Sequence, residues 1–191
     1  RTVRVVDTTK PRLFLTGPND VTVERLNTFT DQGATAFDFS SAGVQDNAAV
    51  LTSEIVVTNT VDMTTVGDYT VRYNVSDVSG NAADEITRTV RVRDTIAPII
   101  TITGSTTQTH ERLNTYTDSG ATAVDGNGGE NLSSRIQVTN DVNANATGDY
   151  TVVYSCTDDH NNSSSVTRTV LVRDTIKPRI TVTGPLSITH E

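Results

Sequence analysis

Three features of the sequence predict an all-β chain built from small sandwich domains in tandem. Thr and Ser are abundant, Val and Ile outnumber Leu, and runs of helix-favouring Leu, Ala, Glu and Lys are missing. Short alternating apolar and polar segments are bounded by Gly, Pro, Asn and Asp, as in a sandwich. The third feature, and the strongest, is internal repetition.

Three blocks recur in one order. DTTKPRLFLTG at Asp7 returns as DTIAPIITITG at Asp94 and DTIKPRITVTG at Asp174. ERLNTFTDQGATAFD at Glu24 returns as ERLNTYTDSGATAVD at Glu111, and GDYTVRYNVSD at Gly67 as GDYTVVYSCTD at Gly148. The spacing is 94 − 7 = 87 residues, then 174 − 94 = 80, most of the difference being an insertion after Asp38. Loops accept such changes and core strands do not. The expected organisation is therefore the last strand of a preceding repeat at 1–7, complete repeats at 8–94 and 95–174, and the opening strand of a following repeat at 175–191. The parent protein is expected to continue in both directions, with repeats end to end.

Within a repeat, Leu13 and Leu15, or Ile100 and Ile102, give the first strand one apolar face. Pro11, Pro98 and Pro178 precede that strand and fix the chain direction into it. A second strand is read at Thr28 to Asp38 with a bulge at Gly33, and another at Ile55 to Thr58. Residues 39–66 carry the weakest pattern. The closing hairpin is clearest: Tyr69, Val71, Tyr73 and Val75 alternate inward, DVSGN turns, and Val90 and Val92 return. Arg88 and Arg168 share the parity of those inward valines, and a bulge is expected to turn them outward.

Gly67-Asp68-Tyr69 and Gly148-Asp149-Tyr150 resemble the tyrosine corner of immunoglobulin-like domains. Val71 and Val152 stand where an antibody domain has its second core cysteine, so these repeats depart from the disulfide-bonded branch. The DTxxP, YTDxGATAxD, GDYTVxY and DxxGN blocks together resemble the Ig-like domain family first named after a pesticidal crystal protein and widespread in bacterial surface proteins. The repeats are also similar to those of giant bacterial adhesins. The resemblance implies a stalk or spacer outside the cell.

Composition excludes several other roles. A formal charge of −8 argues against nucleic acid and anionic membrane, both of which need clustered Lys and Arg. No apolar run approaches the roughly 20 residues of a membrane-spanning helix. The single cysteine, Cys156, falls on the inward side of its strand, opposite the parity of a reactive surface thiol.

No convergent nucleophile, acid or ligand set suggests an enzyme. His110, His160 and His190 read as exposed strand or turn residues. Asp125-Gly126-Asn127-Gly128-Gly129-Glu130 opens like a calcium loop, but Ile136 stands where an EF-hand has its closing Glu. Lys10 and Lys177 lie in linkers, which excludes an intramolecular isopeptide bond. Sequons occur at Asn74, Asn131, Asn145, Asn161 and Asn162, with Asn74 expected to face solvent.

Two functional readings follow. The repeats are a distance-setting array, partnered by neighbouring repeats and by other chains if the array forms a filament. In the alternative they are modules that grip glycans or protein ligands at the cell surface through the loops at 39–52 or 126–133. Strand direction also predicts a structural site. Asp7, Asp38 and Asp77 should converge at one repeat boundary, with Asn81 beside them, and Asp94, Asp125, Asp158 and Asp159 at the next. Such oxygens either bind a structural calcium or cap turns by accepting main-chain amides.

Overall fold

The computed structural model describes residues 1–4, 6–39 and 45–184, and for 45–50 the backbone alone. The part of the 39–52 loop at 40–44 lies outside the described residues. Two compact units form, residues 1–96 and 97–191.

In the first unit, β1 (Arg12–Leu15), β3 (Ala34–Phe39) and β4 (Gln45–Val50) make one antiparallel sheet. The second sheet has the order β2 (Asp20–Glu24), β7 (Ile86–Arg93), β6 (Gly67–Asn74) and β5 (Val56–Asn59). The other unit repeats this plan. Strands β8 (Ile99–Ile102) and β10 (Ala121–Val124) form one sheet, and β9 (Thr107–Glu111), β13 (Ser163–Arg173), β12 (Gly148–Thr157) and β11 (Gln137–Asn140) the other. The only described helical elements are the single 3-10 turns Thr52–Glu54 and Ser133–Arg135.

The closing hairpin supplies the core, as its alternation predicts. Val71, Tyr73, Val90 and Val92 are fully buried, as are Val152, Tyr154, Val170 and Val172 in the second repeat. Leu13, Leu15, Ala34 and Ile55 pack onto the first set from the opposite sheet and its margin. The free thiol of Cys156 sits in the core with Ala123 and Leu132, and that burial raises its pKa.

Tyr69 and Tyr150 form tyrosine corners. Their hydroxyls donate to the carbonyls of Thr65 at 2.8 Å and Ala146 at 3.1 Å. Gly148 lets the ring lie close, since a Cβ there would stand 3.3 Å from the Tyr150 ring and push it back by a few tenths of an ångström. These corner rings are half-buried, and the fully buried rings are Tyr73 and Tyr154 two turns of the alternation later.

Three sequence readings need correction. A strand at 20–24 escaped notice because DVTVE is short and half polar, yet it pairs parallel with β7. The stretch from Thr28 to Gly33 is connector, and the second strand of that sheet begins at Ala34, just after Gly33 with φ +77. The third correction concerns Arg88 and Arg168, which a bulge does not turn out. Both are only 1% exposed, and β7 and β13 run through them in regular register.

A buried guanidinium must find acceptors on every side, because an unpaired charge away from water is costly. Arg88 pairs with the carboxylate of Asp31, and its Nε donates to the Pro18 carbonyl at 2.9 Å. Its other nitrogen donates to the carbonyls of Thr16 and, at 3.4 Å, Gly33. Tyr73 completes the group, donating its hydroxyl to Asp31 at 2.6 Å and accepting from Arg88 at 3.1 Å. The second repeat matches it residue for residue: Arg168 binds Asp118 and the carbonyls of Thr103, Ser105 and Gly120, and Tyr154 donates to Asp118. Burial and the adjacent carboxylates push the Tyr73 and Tyr154 hydroxyls well above the ordinary phenol range. Burial alone would raise Asp118; the Tyr154 hydroxyl, the Gly120 amide and the Arg168 charge outweigh it and hold the carboxyl low.

Arg168→Met removes the cation and leaves Asp118 and the surrounding carbonyls unanswered. It should destabilise the second repeat by about 3–5 kcal/mol, the usual cost of breaking a buried pair. Urea denaturation of the full chain measures this as an early transition for that repeat alone; a shift under 1 kcal/mol would show that the pair is not needed.

Candidate functional site

The acidic residues singled out in the sequence fall into two structural groups. In the first unit, carboxylate oxygens of Asp7, Asp38 and Asp77 lie within 4.8 Å of one another. The chain places them there through its turns. Asp77 closes β6, Asp38 lies on β3, and Asp7 precedes Pro11 and the opening strand. The Asn81 amide links two of them, donating to Asp77 Oδ2 at 2.8 Å and to the Asp7 carbonyl at 3.3 Å.

These carboxylates also cap turns. Asp7 Oδ1 accepts from the Thr9 amide at 3.0 Å, and Asp38 Oδ1 from the Phe39 amide at 2.8 Å. Asp77 Oδ1 accepts from the amides of Ser79 at 2.9 Å and Asn81 at 2.8 Å. In the second unit, Asp125 accepts from Asn127 at 2.7 Å, and the Gly-rich loop folds around it with Gly129 at φ +68. Asp158 accepts from His160 at 2.8 Å and Asn162 at 2.9 Å. Burial would raise Asp77 and Asp158, but the Asn81 and Ser79 donors on one, and the Asn162 and His160 donors on the other, hold both below the usual carboxylate range.

Asp94 and Asp159 meet arginines. Asp159 takes both guanidinium nitrogens of Arg135, at 2.6 and 3.0 Å. Asp94 is buried against Arg25 Nε at 3.1 Å. The latter pair belongs to a latch that sequence reasoning missed. Glu24 accepts from the Thr95 amide at 2.9 Å and hydroxyl at 2.7 Å, so the ER of ERLNT grips the DT of the next DTxxP block. The second repeat does the same with Glu111 on Thr175 and Arg112 on Asp174 at 2.9 Å. The signal was available, because the two dipeptides recur together.

Aromatic exposure was also underread. On the outer face of β1 and β3, Phe14 is 47% exposed and lies 6.2 Å from Phe37, while Arg12 sits 4.7 Å over the Phe39 ring. The second repeat has Ile99, Thr101 and Val124 at the places of Arg12, Phe14 and Phe37. His110 stacks edge-on with Tyr116 at 5.3 Å and contacts the Asn114 carbonyl. Asn74 is exposed and donates to Glu85 at 2.9 Å.

The sequence comparison finds the same two repeats. Residues 13–92 and 100–172 match the family described as bacterial surface protein, Ig-like domain. The chain belongs to this family. It is thus a pair of tandem Ig-like β-sandwich domains of a bacterial surface type, and the family suggests a location at the cell surface or outside the cell. Among the described residues, no helix is long and apolar enough to cross a membrane.

A search of curated proteins found no match. Among solved structures, the chain is similar to the lipoprotein BT2262 from Bacteroides thetaiotaomicron, at 23% identity over 42% of this chain and 40% of that one, with a TM-score of 0.38. It is similar to the M60 catalytic domain with CBM51-1 and CBM51-2 domains of Clostridium perfringens ZmpB, at 15% identity over 88% and 31%, TM-score 0.49. A ZmpB fragment with CBM51-2 in complex with GlcNAc and INT domains shows 33% identity over 40% and 16%, TM-score 0.33. The chain therefore spans less than half the length of each.

The depressed carboxyls of Asp77 and Asp158 contribute stability above the ordinary aspartate pKa of about 3.9 and lose it as pH falls through their folded values. Melting temperature should therefore hold steady from about pH 7 to 5 and drop below about pH 4. Asp158→Asn should flatten the acid limb of the second repeat, and an unchanged limb would show that its carboxyl does not drive the loss.

Proposed function

We propose that this chain is a spacer segment of a long extracellular protein, with ligand binding or catalysis located elsewhere in the parent. The observation that supports this best is how the repeated polar residues are used. Asp31, Tyr73 and Arg88 bind one another inside the repeat, Glu24 and Arg25 bind Thr95 and Asp94 of the same compact unit, and the counterparts in the second unit do the same. The segments that differ follow β3 and β10: residues 45–50 form β4 in the first repeat, and residues 126–130 fold as a turn around Asp125 in the second. A repeated framework whose polar groups are engaged in holding the repeat together is what a spacer needs. On the same grounds the chain is no enzyme.

Structural calcium belongs to this reading. The donors at Asp7, Asp38 and Asp77 are hard oxygens of the kind that cation takes, and three close carboxylates repel one another without a counter-charge. Those three would hold it, and its charge would tie the segment before β1 to the β6–β7 turn. Adding chelator to the calcium-loaded chain should lower the melting temperature of the first repeat. Equal melting with and without calcium would remove the ion.

The spacer reading is tested by reach. Arrays of two, four and six repeats, displayed with a terminal epitope and imaged by electron microscopy, should lengthen by roughly 35–45 Å per repeat. A length that does not grow with repeat number would overturn it.

A second reading has one observation in its favour, the aromatic surface of Phe14, Phe37 and Phe39 with Arg12, present only in the first repeat. Exposed aromatics beside Arg are the groups that anchor recognition. If this repeat grips glycans or proteins, a glycan array will retain the full chain and lose it on Phe14→Ala; retention by both, or by neither, leaves the aromatics without that role.

A further inference from the structure

The first strand of the larger sheet and the last strand of the repeat lie side by side and parallel. β2 aligns with β7 from Asp20 on Thr89 to Glu24 on Arg93, and β9 with β13 from Thr107 on Thr169 to Glu111 on Arg173. The chain enters each repeat upstream of β2 or β9 and leaves downstream of β7 or β13. A pull on the two ends therefore drags parallel partners in opposite directions along their own axes. The bonds across the pair are loaded together, in shear. Antiparallel terminal strands would bring entry and exit to one end and peel bond by bond.

Both ends of the pair are locked. At the start, the Thr89 amide donates to the Asn19 carbonyl at 2.8 Å, and Arg88 holds the connector between β1 and β2 through the carbonyls of Thr16 and Pro18. At the far end, the Arg25 amide donates to the Arg93 carbonyl at 2.6 Å. There Glu24 grips Thr95 and Arg25 grips Asp94, the first residues of the outgoing chain. Force arriving at Thr95 is passed back to β2 before it can lift β7. The second repeat carries every one of these bonds: Thr169 to Thr106 at 2.8 Å, Arg112 to Arg173 at 2.7 Å, Arg168 on Thr103 and Ser105, Glu111 on Thr175.

We infer that each repeat is a tension-bearing clamp whose working parts are the parallel terminal strands, the buried arginine at one end and the Glu-Thr, Arg-Asp latch at the other. The inference rests on the spacer reading, since only a chain anchored at both ends carries load.

Constant-force measurement on the full 191-residue chain tests it. One arm pulls from the two termini. The other pulls from the N-terminus and from Val78→Cys, a fully exposed turn residue, in a Cys156→Val background so that the handle is unique. The second arm peels β2 from the start of β7 and uses the unaltered clamp, so it does not depend on a variant that folds poorly. At equal force the first repeat should survive at least about tenfold longer in the terminal geometry, a barrier difference of about 1.4 kcal/mol. Glu24→Ala should shorten that lifetime and leave the peeling lifetime unchanged. Equal lifetimes in the two geometries, or an equal effect of Glu24→Ala on both, would overturn the clamp. Either result would leave the length per repeat standing, whereas a reach that fails to grow would remove the spacer and leave the force comparison intact.

Discussion

A guanidinium in the middle of a small β core dictates much of what surrounds it. Arg88 can stay there only if Asp31, Tyr73 and three main-chain carbonyls face it at once, and these come from the β1–β2 connector, the turn before β3 and the β6 strand. Satisfying one charge therefore fixes three otherwise independent segments. A buried pair is weak evidence for net stability, because apolar residues of equal volume often do as well. Its effect here is positional. It sets where the chain kinks between the two sheets, which places β2 beside β7.

Much of the fold was legible because the closing hairpin obeys period-two alternation over a long run. Tyr69 to Val75 and Val90 to Val92 announce their faces without help from the rest of the chain. Arg88 was misread for the same reason that the valines were read correctly. Alternation reports which way a side chain points but not what waits for it, and Asp31 is 57 residues away. DVTVE was missed because its partners are all on β7, and a half-polar five-residue strand has no pattern of its own.

The candidate site was legible in part through direction alone. Knowing which pole each strand reaches was enough to bring Asp7, Asp38 and Asp77 to one place. Direction could not reveal which acids had arginine neighbours, as Asp94 and Asp159 do. Arg25 reaches Asp94 across 69 residues, and Arg135 reaches Asp159 across 24, both by side-chain geometry. The repeat offered a better guide than the single motif. Where two dipeptides return together, as ER and DT do, the economical explanation is that they touch.

The division between repeated and divergent residues follows from the same physics. A residue that holds two distant segments together cannot change alone, since its loss strands a buried partner. Arg88, Asp31 and Tyr73 are bound in this way, and their counterparts are identical in type. The outer face of β1 and β3 has no such constraint, so Arg12, Phe14 and Phe37 could become Ile99, Thr101 and Val124 without disturbing either core. One framework can thus be repeated along a chain and present a different surface at each repeat. The sandwich separates the two demands by placing its constrained polar groups between the sheets and at the terminal strands, and its freedom on the faces turned to solvent.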